Sequence, residues 1–451
     1  MLDMSRQLQD QFKDRLQSSG SCMLPSYSHT LPSGEERGTF LALDVGGSTL
    51  RVALVELSGR RVAGNPMTIL GIDSFRIGEQ QRRLEGVAFF DWMAERIAEM
   101  LGKYGSGRAT GSTPLSTGLA WSFPIEQTSL RTGSLIGMGK GFLASQGLVG
   151  KDLGALITEA CQRRNVNIRM DAILNDSSAT LLSRAYQDET TRMALILGTG
   201  TNAAIHLPVS ALGHGKFGNR PQSWHDKATH VLVNTELSMF GKNVWVTTRW
   251  DDYLNATHIL PDFQPFEHLI GGRYLGEIVR LILVEAIETA GLFDGEMPLG
   301  FNEPYSLDTG TIAGIEADDS PTLATACTVL QNAHPLLSPP RTADLLFVRH
   351  VCQLVSRRAA AYLATGIHAL WSLRNTAERF SPAAVAEQPL SISYDGSVLE
   401  KYPGFKDKCQ AYIDTLVDDG GHVSLEPAVE SAILGAAVAV GCVEAERAQE
   451  I

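Results

Sequence analysis

No run of apolar residues in the 451-residue sequence reaches the roughly 20 that a membrane helix needs, and the opening MLDMSRQLQDQFKDRLQSSG lacks the apolar core of a secretion signal. A soluble, cytoplasmic protein is the expectation. The six cysteines, Cys22, Cys161, Cys327, Cys352, Cys409 and Cys442, contain no CxxC pair, and the 11 histidines contain no HxxxH pair. Neither a zinc site nor a disulfide framework is indicated, so reduced, mostly buried thiols and no structural metal are expected. A surplus of positive charge is missing too: 38 lysines and arginines face 50 aspartates and glutamates, for a formal net charge of -12. That balance excludes a general nucleic-acid or acidic-membrane surface, and any phosphate must be held locally by backbone amides and a few cations. GxxxxGK[ST] is absent, which removes the P-loop route to a nucleotide.

With 44% hydrophobic residues the chain can bury a large core, and its length favours two lobes. Leu8, Phe12 and Leu16 recur at helical spacing and mark an amphipathic N-terminal helix. Residues 39–45 and 49–57 are rich in β-branched and aliphatic side chains and read as strands. The Gly46-Gly47 between them would supply the positive φ angles of a tight hairpin turn. Residues 193–207 repeat the pattern around Gly198-Thr199-Gly200-Thr201-Asn202. Helical periodicity fits residues 89–104, 151–164, 274–289, 345–373 and 430–446, giving an α/β alternation. Residues 106–114 and 294–308, rich in Pro, Ser, Gly and Asp, read as surface loops.

The first hairpin puts Asp44 at a strand end just before the glycines. Bare glycines let backbone approach phosphate oxygens, Ser48 and Thr49 offer hydroxyls, and a carboxylate can hold Mg²⁺ through its water shell. An ordinary β-turn explains the same residues equally well. Asn175-Asp176 closes a short apolar segment in AILNDSSATL. Such an Asp can accept the proton of an attacking hydroxyl, or it can simply cap the helix that Ser-Ser-Ala-Thr begins. Glu236 and Glu267, taken alone, would be solvated surface carboxylates.

Seven segments in order decide between these readings: residues 115–142, then AILNDSSATL, ALILGTGTNAAI, VLVNTELSMFG, FQPFEHLIGGRYLGEIVR, SLDTGTIAGIEAD and SYDGSVLEKYPGF. They resemble the successive motifs of the eukaryotic hexokinase family over nearly the whole chain. The resemblance implies an α/β fold of two lobes, the hexokinase form of the actin-like ATPase architecture. Residues 1–38 would form an arm on the large lobe, 39–174 the small lobe completed by 433–451, and 175–432 the large lobe. It further implies ATP-dependent transfer to a sugar 6-hydroxyl, with Asp176 as general base assisted by Lys140. Ser122, Phe123, Gly139, Lys140, Asn175, Asp176, Asn234, Glu236 and Glu267 match sugar-contacting positions. Asp44, Gly46, Gly47, Ser48, Thr49, Arg51, Gly198, Thr199, Gly200, Thr201, Asn202, Gly396 and Ser397 match nucleotide-binding ones, with Asp44 reaching Mg²⁺ through water. The partners implied are the sugar and MgATP, with no nucleic acid and no membrane span; a monomer or weak homodimer is expected.

Departures from the family pattern cluster beside the expected ligands. The usual Gly-Gly-Thr-Asn is here Gly46-Gly47-Ser48-Thr49, Trp-Thr-Lys is Met138-Gly139-Lys140, and Ser177-Ser178-Ala179 replaces Thr-Val-Gly. Glu430-Ser431-Ala432-Ile433 stands where a glycine-rich loop is usual. The combination of residues 46–51, 121–124, 175–177, 236–238 and 263–265 is most similar to the fungal N-acetylglucosamine kinases. Gly139 in place of Thr would free room for an acetamido group. A general hexokinase or glucokinase and a catalytically impaired sugar sensor are the alternatives.

Overall fold

The computed structural model describes residues 1–105, 113–139, 141–380, 388–417 and 421–449. Strands gather into two large sheets. The first has five strands: β2 (Gly38–Val45), β3 (Thr49–Leu57), β4 (Met67–Arg76), β5 (Leu115–Trp121) and β8 (Ile168–Leu174), in the order β4-β3-β2-β5-β8. The second has six: β1 (Leu24–Pro25), β9 (Thr191–Leu197), β10 (Thr201–Pro208), β11 (His230–Asn234), β12 (Leu390–Asp395) and β13 (Val423–Pro427), in the order β1-β11-β10-β9-β12-β13. A small hairpin of β6 (Ile125–Gln127) and β7 (Gly133–Leu135) stands apart.

Each large sheet opens with a hairpin and continues with parallel strands. In the first, β2 pairs antiparallel with β3 and parallel with β5, which pairs parallel with β8. In the second, β9 pairs antiparallel with β10 and parallel with β12. The parallel strands β5, β8, β9 and β12 are mostly buried along their length, as strands covered on both faces must be. Between the sheets lie two helices, Asp176–Gln187 and Ser431–Gln449, which share a core of Ala179, Leu181, Leu182, Ile433, Ala436 and Val440 with residues of both sheets. They cross so closely that a Cβ on Gly435 would sit 1.9 Å from the Ala179 carbonyl oxygen.

The N-terminal helix, Leu2–Ser18, buries Leu8, Phe12 and Leu16 in the largest core, which also holds the 36-residue helix Thr342–Ala377. Ser5 Oγ meets His368 Nδ1 of that helix at 2.8 Å. The other periodic stretches form helices at Val87–Tyr104, Leu153–Arg163 and Gly272–Ala290. None of the described helices is long and apolar enough to cross a membrane. All six cysteines are free, and Cys22, Cys161, Cys352 and Cys409 are buried.

Two local expectations need correction. Neither Gly46 nor Gly47 adopts a positive φ; the turn closes through Gly46 N–H donating to the Thr49 carbonyl at 3.0 Å. Residues 294–308 are not merely a surface loop: Phe301 is fully buried, and its carbonyl accepts from Arg280 Nη1 at 2.8 Å. Single apolar anchors carry no periodicity, so composition hides them. The expected loop at 106–114 falls mostly outside the described residues.

Candidate active site

Parallel β2, β5 and β8 end level with one another: Val45 is registered with Trp121, and Ala120 with Leu174. Asp44, Ser122, Asn175 and Asp176 therefore emerge at one edge of the first sheet, where carboxyl ends of parallel strands commonly build ligand sites. Across from them, β9 ends at the Gly198 turn and β12 at Asp395. A cavity of about 370 Å³ lies between, lined by Asp44, Gly46, Ser48, Thr49, Arg51, Ser122, Asp176, Thr180, Ile196, Asp395, Ser431 and Ala432. A larger hollow of about 520 Å³, between Tyr27–Thr30 and the last helix, contains none of the expected site residues.

Asp176 is the first residue of its helix, and the N-cap is Asn175, whose Oδ1 accepts from Ser177 N–H at 3.0 Å and Ser177 Oγ at 2.7 Å. The capping alternative thus belongs to Asn175. Asp176 Oδ1 accepts the same Ser177 N–H at 2.7 Å, and Oδ2 lies 3.4 Å from Ser122 Oγ. Burial pushes its carboxyl up to about 6, with Asp44 and Glu236 adding to the rise and the Ser177 and Ser122 bonds opposing it. A base poised there is largely ionised near neutral pH yet able to hold a proton.

Asp44 shares Arg51, whose Nε and Nη2 lie 2.8 and 2.7 Å from Oδ2. Burial nevertheless leaves the Asp44 carboxyl above its ordinary value, against the pull of Arg51. Ser48 is exposed and Thr49 partly so, both at the cavity.

The second turn is employed differently. Gly198 N–H bonds to the Gly200 carbonyl at 3.0 Å, and Thr201 N–H donates to Glu267 Oε2 at 2.9 Å. Thr201 Oγ1 points to the Ile196 carbonyl at 3.2 Å, while Thr199 is exposed. Asn202 turns away from the phosphate side expected of it: its Nδ2 donates to Asn234 Oδ1 at 2.9 Å, and Asn234 Nδ2 donates to Glu236 Oε1 at 2.8 Å. A sequence motif cannot say which way a side chain leaves its strand. Glu236 and Gln264 both hold left-handed backbone, at φ 52 and 59. Such conformations in non-glycine residues are strained and concentrate at functional sites. Burial raises the Glu236 carboxyl, opposed by the Asn234 bond.

Other expected positions fall out as follows. Lys140 lies outside the described residues. Gly139 is exposed with φ +58, and a Cβ there would meet nothing within 4 Å. Phe123 packs its ring 5.2 Å from Trp121 and 5.0 Å from Phe142, so the side chain belongs to the core. Gly396, at φ +117, leads into the short helix Ser397–Lys401; a Cβ on it would come within 2.5 Å of the Leu197 carbonyl. Sequence reasoning missed Thr180, Asp395 and Ser431. Ser431 Oγ donates to Asp395 and lies 2.8 Å from Thr180 Oγ1. Asp395 directly precedes the Gly396-Ser397 motif and was findable; the other two meet only through helix packing. It also missed the start of the Gly272–Ala290 helix, whose Gly272 and Arg273 amides donate to Gly198 and Thr199 carbonyls at 2.8 and 3.0 Å.

Comparison with known proteins gives the chain its relatives. Two hexokinase family profiles match residues 1–186 and 192–442. The chain is 31% identical to Hexokinase-2 of Oryza sativa subsp. japonica over 92% of its length and 82% of the relative's. It is 30% identical to Hexokinase-1 of Schizosaccharomyces pombe over 94% and 83%. The hexokinase of Schistosoma mansoni, solved in complex with glucose, superimposes with a TM-score of 0.78 at 27% identity, covering 97% of this chain and 94% of that one. Fold and family matches define a sugar kinase, a phosphotransferase built on the two-lobed actin-like ATPase architecture. The chain belongs to the hexokinase family.

Proposed function

We propose that this hexokinase-family chain transfers the γ-phosphoryl group of ATP to the 6-hydroxyl of N-acetylglucosamine, with glucose as a weaker substrate. The observation that carries the reaction is Asp176, a half-buried carboxylate beside Ser122 in a cavity that the hydroxyl-bearing Ser48-Thr49 turn also lines. Asp176 takes the proton of the 6-hydroxyl as its oxygen attacks the γ-phosphorus, and ADP leaves. Asn175 uses its oxygen to cap the helix and offers its amide nitrogen to the sugar; Asn234, Glu236 and Glu267 take further hydroxyls. A pyranose needs such a set, since a buried hydroxyl left unpaired costs about 1–3 kcal/mol.

The cavity suits a magnesium nucleotide in its charge pattern: Asp44 and Asp395 are carboxylates for the cation side, and Arg51, Ser48 and Thr49 offer donors to phosphate. Mg²⁺, arriving with ATP, would neutralise charge on the phosphates. Asp44 is the residue we assign to its water shell. Closure of the two sheets' lobes about this cavity would exclude water from the transfer.

The preference for N-acetylglucosamine rests on the subfamily resemblance, which includes Gly139 where the family pattern has Thr. A second reading, a general hexokinase, is favoured by the names of the relatives and by the glucose bound to the Schistosoma mansoni enzyme. An ADP-release assay across N-acetylglucosamine, glucose, mannose and fructose separates the two. N-acetylglucosamine should lead glucose in kcat/KM by about 10- to 200-fold, the range spare pocket volume can supply. Because Gly139 has positive φ, any side chain there adds strain that burdens both sugars; the ratio between them isolates the pocket. Gly139→Ala should lower that ratio, and an unchanged ratio places the acetyl group elsewhere. Glucose leading in the wild type would establish the general reading, and turnover with none of the sugars would favour a sensor.

A further inference from the structure

We infer that Glu430 is a positioning residue that holds Arg51 away from the nucleotide's phosphates until a nucleotide displaces it; the inference rests on reading the cavity as a nucleotide site. Arg51 is the one lysine or arginine among the described residues lining that cavity. Two of its nitrogens go to Asp44, and the third, Nη1, donates to Glu430 Oε2 at 2.7 Å. The guanidinium is thereby spent on two carboxylates.

Glu430 occupies an unusual place for such a partner. It sits at φ +50, a left-handed conformation that glycine takes without strain, immediately before the helix Ser431–Gln449. Its carbonyl accepts from Leu434 N–H at 3.0 Å and so starts the helix, but its carboxylate reaches back to β3. Here the family pattern has a glycine-rich loop, which offers amides and no charge. This chain has instead placed a carboxylate in competition with phosphate for the one cation among the described residues lining the cavity. Phosphate oxygens entering the cavity are, like a carboxylate, charged and bidentate-capable acceptors for a guanidinium, and MgATP brings several of them. Arg51 would exchange Glu430 for phosphate on binding and return to it on release, so Glu430 weakens nucleotide binding and speeds ADP departure.

Glu430→Gln should lower the KM for MgATP and the Kd for ADP by about 3- to 10-fold, the scale of a half-exposed ion pair, and leave the sugar KM within about twofold. Glu430→Gly should act in the same direction, and serves if the Gln variant folds poorly. In an Arg51→Met background the effect of Glu430→Gln on ADP binding should vanish. If it persists there, the carboxylate repels phosphate without Arg51 and the positioning role is overturned, as it is if both single variants bind nucleotide unchanged or more weakly. A wild type that binds no adenine nucleotide removes the reading of the cavity, and this inference with it.

Discussion

The two glycine turns look alike in sequence and are wired in opposite ways. At the β2–β3 turn the hydroxyls of Ser48 and Thr49 face the cavity, and the nearby charge, Asp44, is compensated by Arg51. At the β9–β10 turn most polar groups are already spoken for: Thr201 N–H by Glu267, Thr201 Oγ1 by Ile196, and the Asn202 amide by Asn234. The first turn therefore leaves its hydroxyls facing open space in the cavity. The second is tied into the carboxylates assigned to the sugar, so a nucleotide resting on it would feel the state of Glu267.

The sharpest test of the first side is Asp176, which joins its edge. Asp176→Ala should lose about 10²- to 10⁴-fold in kcat while sugar affinity, measured by calorimetry, stays within a few-fold. Wild-type kcat/KM should fall as pH drops through about 6, because the base must be ionised and burial has lifted it there from 3.8. The same shift predicts that folding stability declines as pH rises between those two values, since the folded state binds the proton more tightly than the unfolded one. Near-normal turnover in the alanine variant would remove Asp176 from the chemistry.

Glu267 tests the second side, with a smaller expected loss. Glu267→Ala should cost about 10- to 100-fold in kcat/KM for sugar, the range of a lost charge-assisted hydrogen bond, and should also raise the KM for ATP by freeing the Thr201 amide. Glu267→Gln keeps an acceptor for that amide, so its KM for ATP should remain within about twofold of wild type while sugar binding still suffers. Should both variants disturb the sugar alone, the turn does not depend on Glu267.

The smallest effects contrast single hydroxyls. Ser48→Ala should raise the KM for ATP by about 2- to 10-fold, the net worth of one neutral hydrogen bond. Thr201→Val should change it less, because that hydroxyl already bonds the Ile196 carbonyl. Equal losses at the two positions would mean that the turns serve the nucleotide in the same way.

Much was legible because it is local. Strand alternation, helical periodicity and the ordered motifs marked both hairpins, the long helices and Asp176 with its neighbours, since β-branched runs and apolar spacing act over a few residues. The same motifs carried the family. What remained hidden depends on distance along the chain. Thr180 meets Ser431, and Arg51 meets Glu430, only because two helices and two sheets pack together, bringing residues 251 and 379 positions apart into contact.

The sequence by itself determined the elements, the two-hairpin plan and the family, because periodicity and turn chemistry are written residue by residue. Tertiary structure alone decided how each polar group is employed. It gave the cap to Asn175 and left Asp176 for the cavity, turned Asn202 toward Asn234, and set Glu236 and Gln264 in left-handed backbone. Those outcomes follow from which donors and acceptors packing brings within about 3 Å, and from the requirement that buried ones be paired.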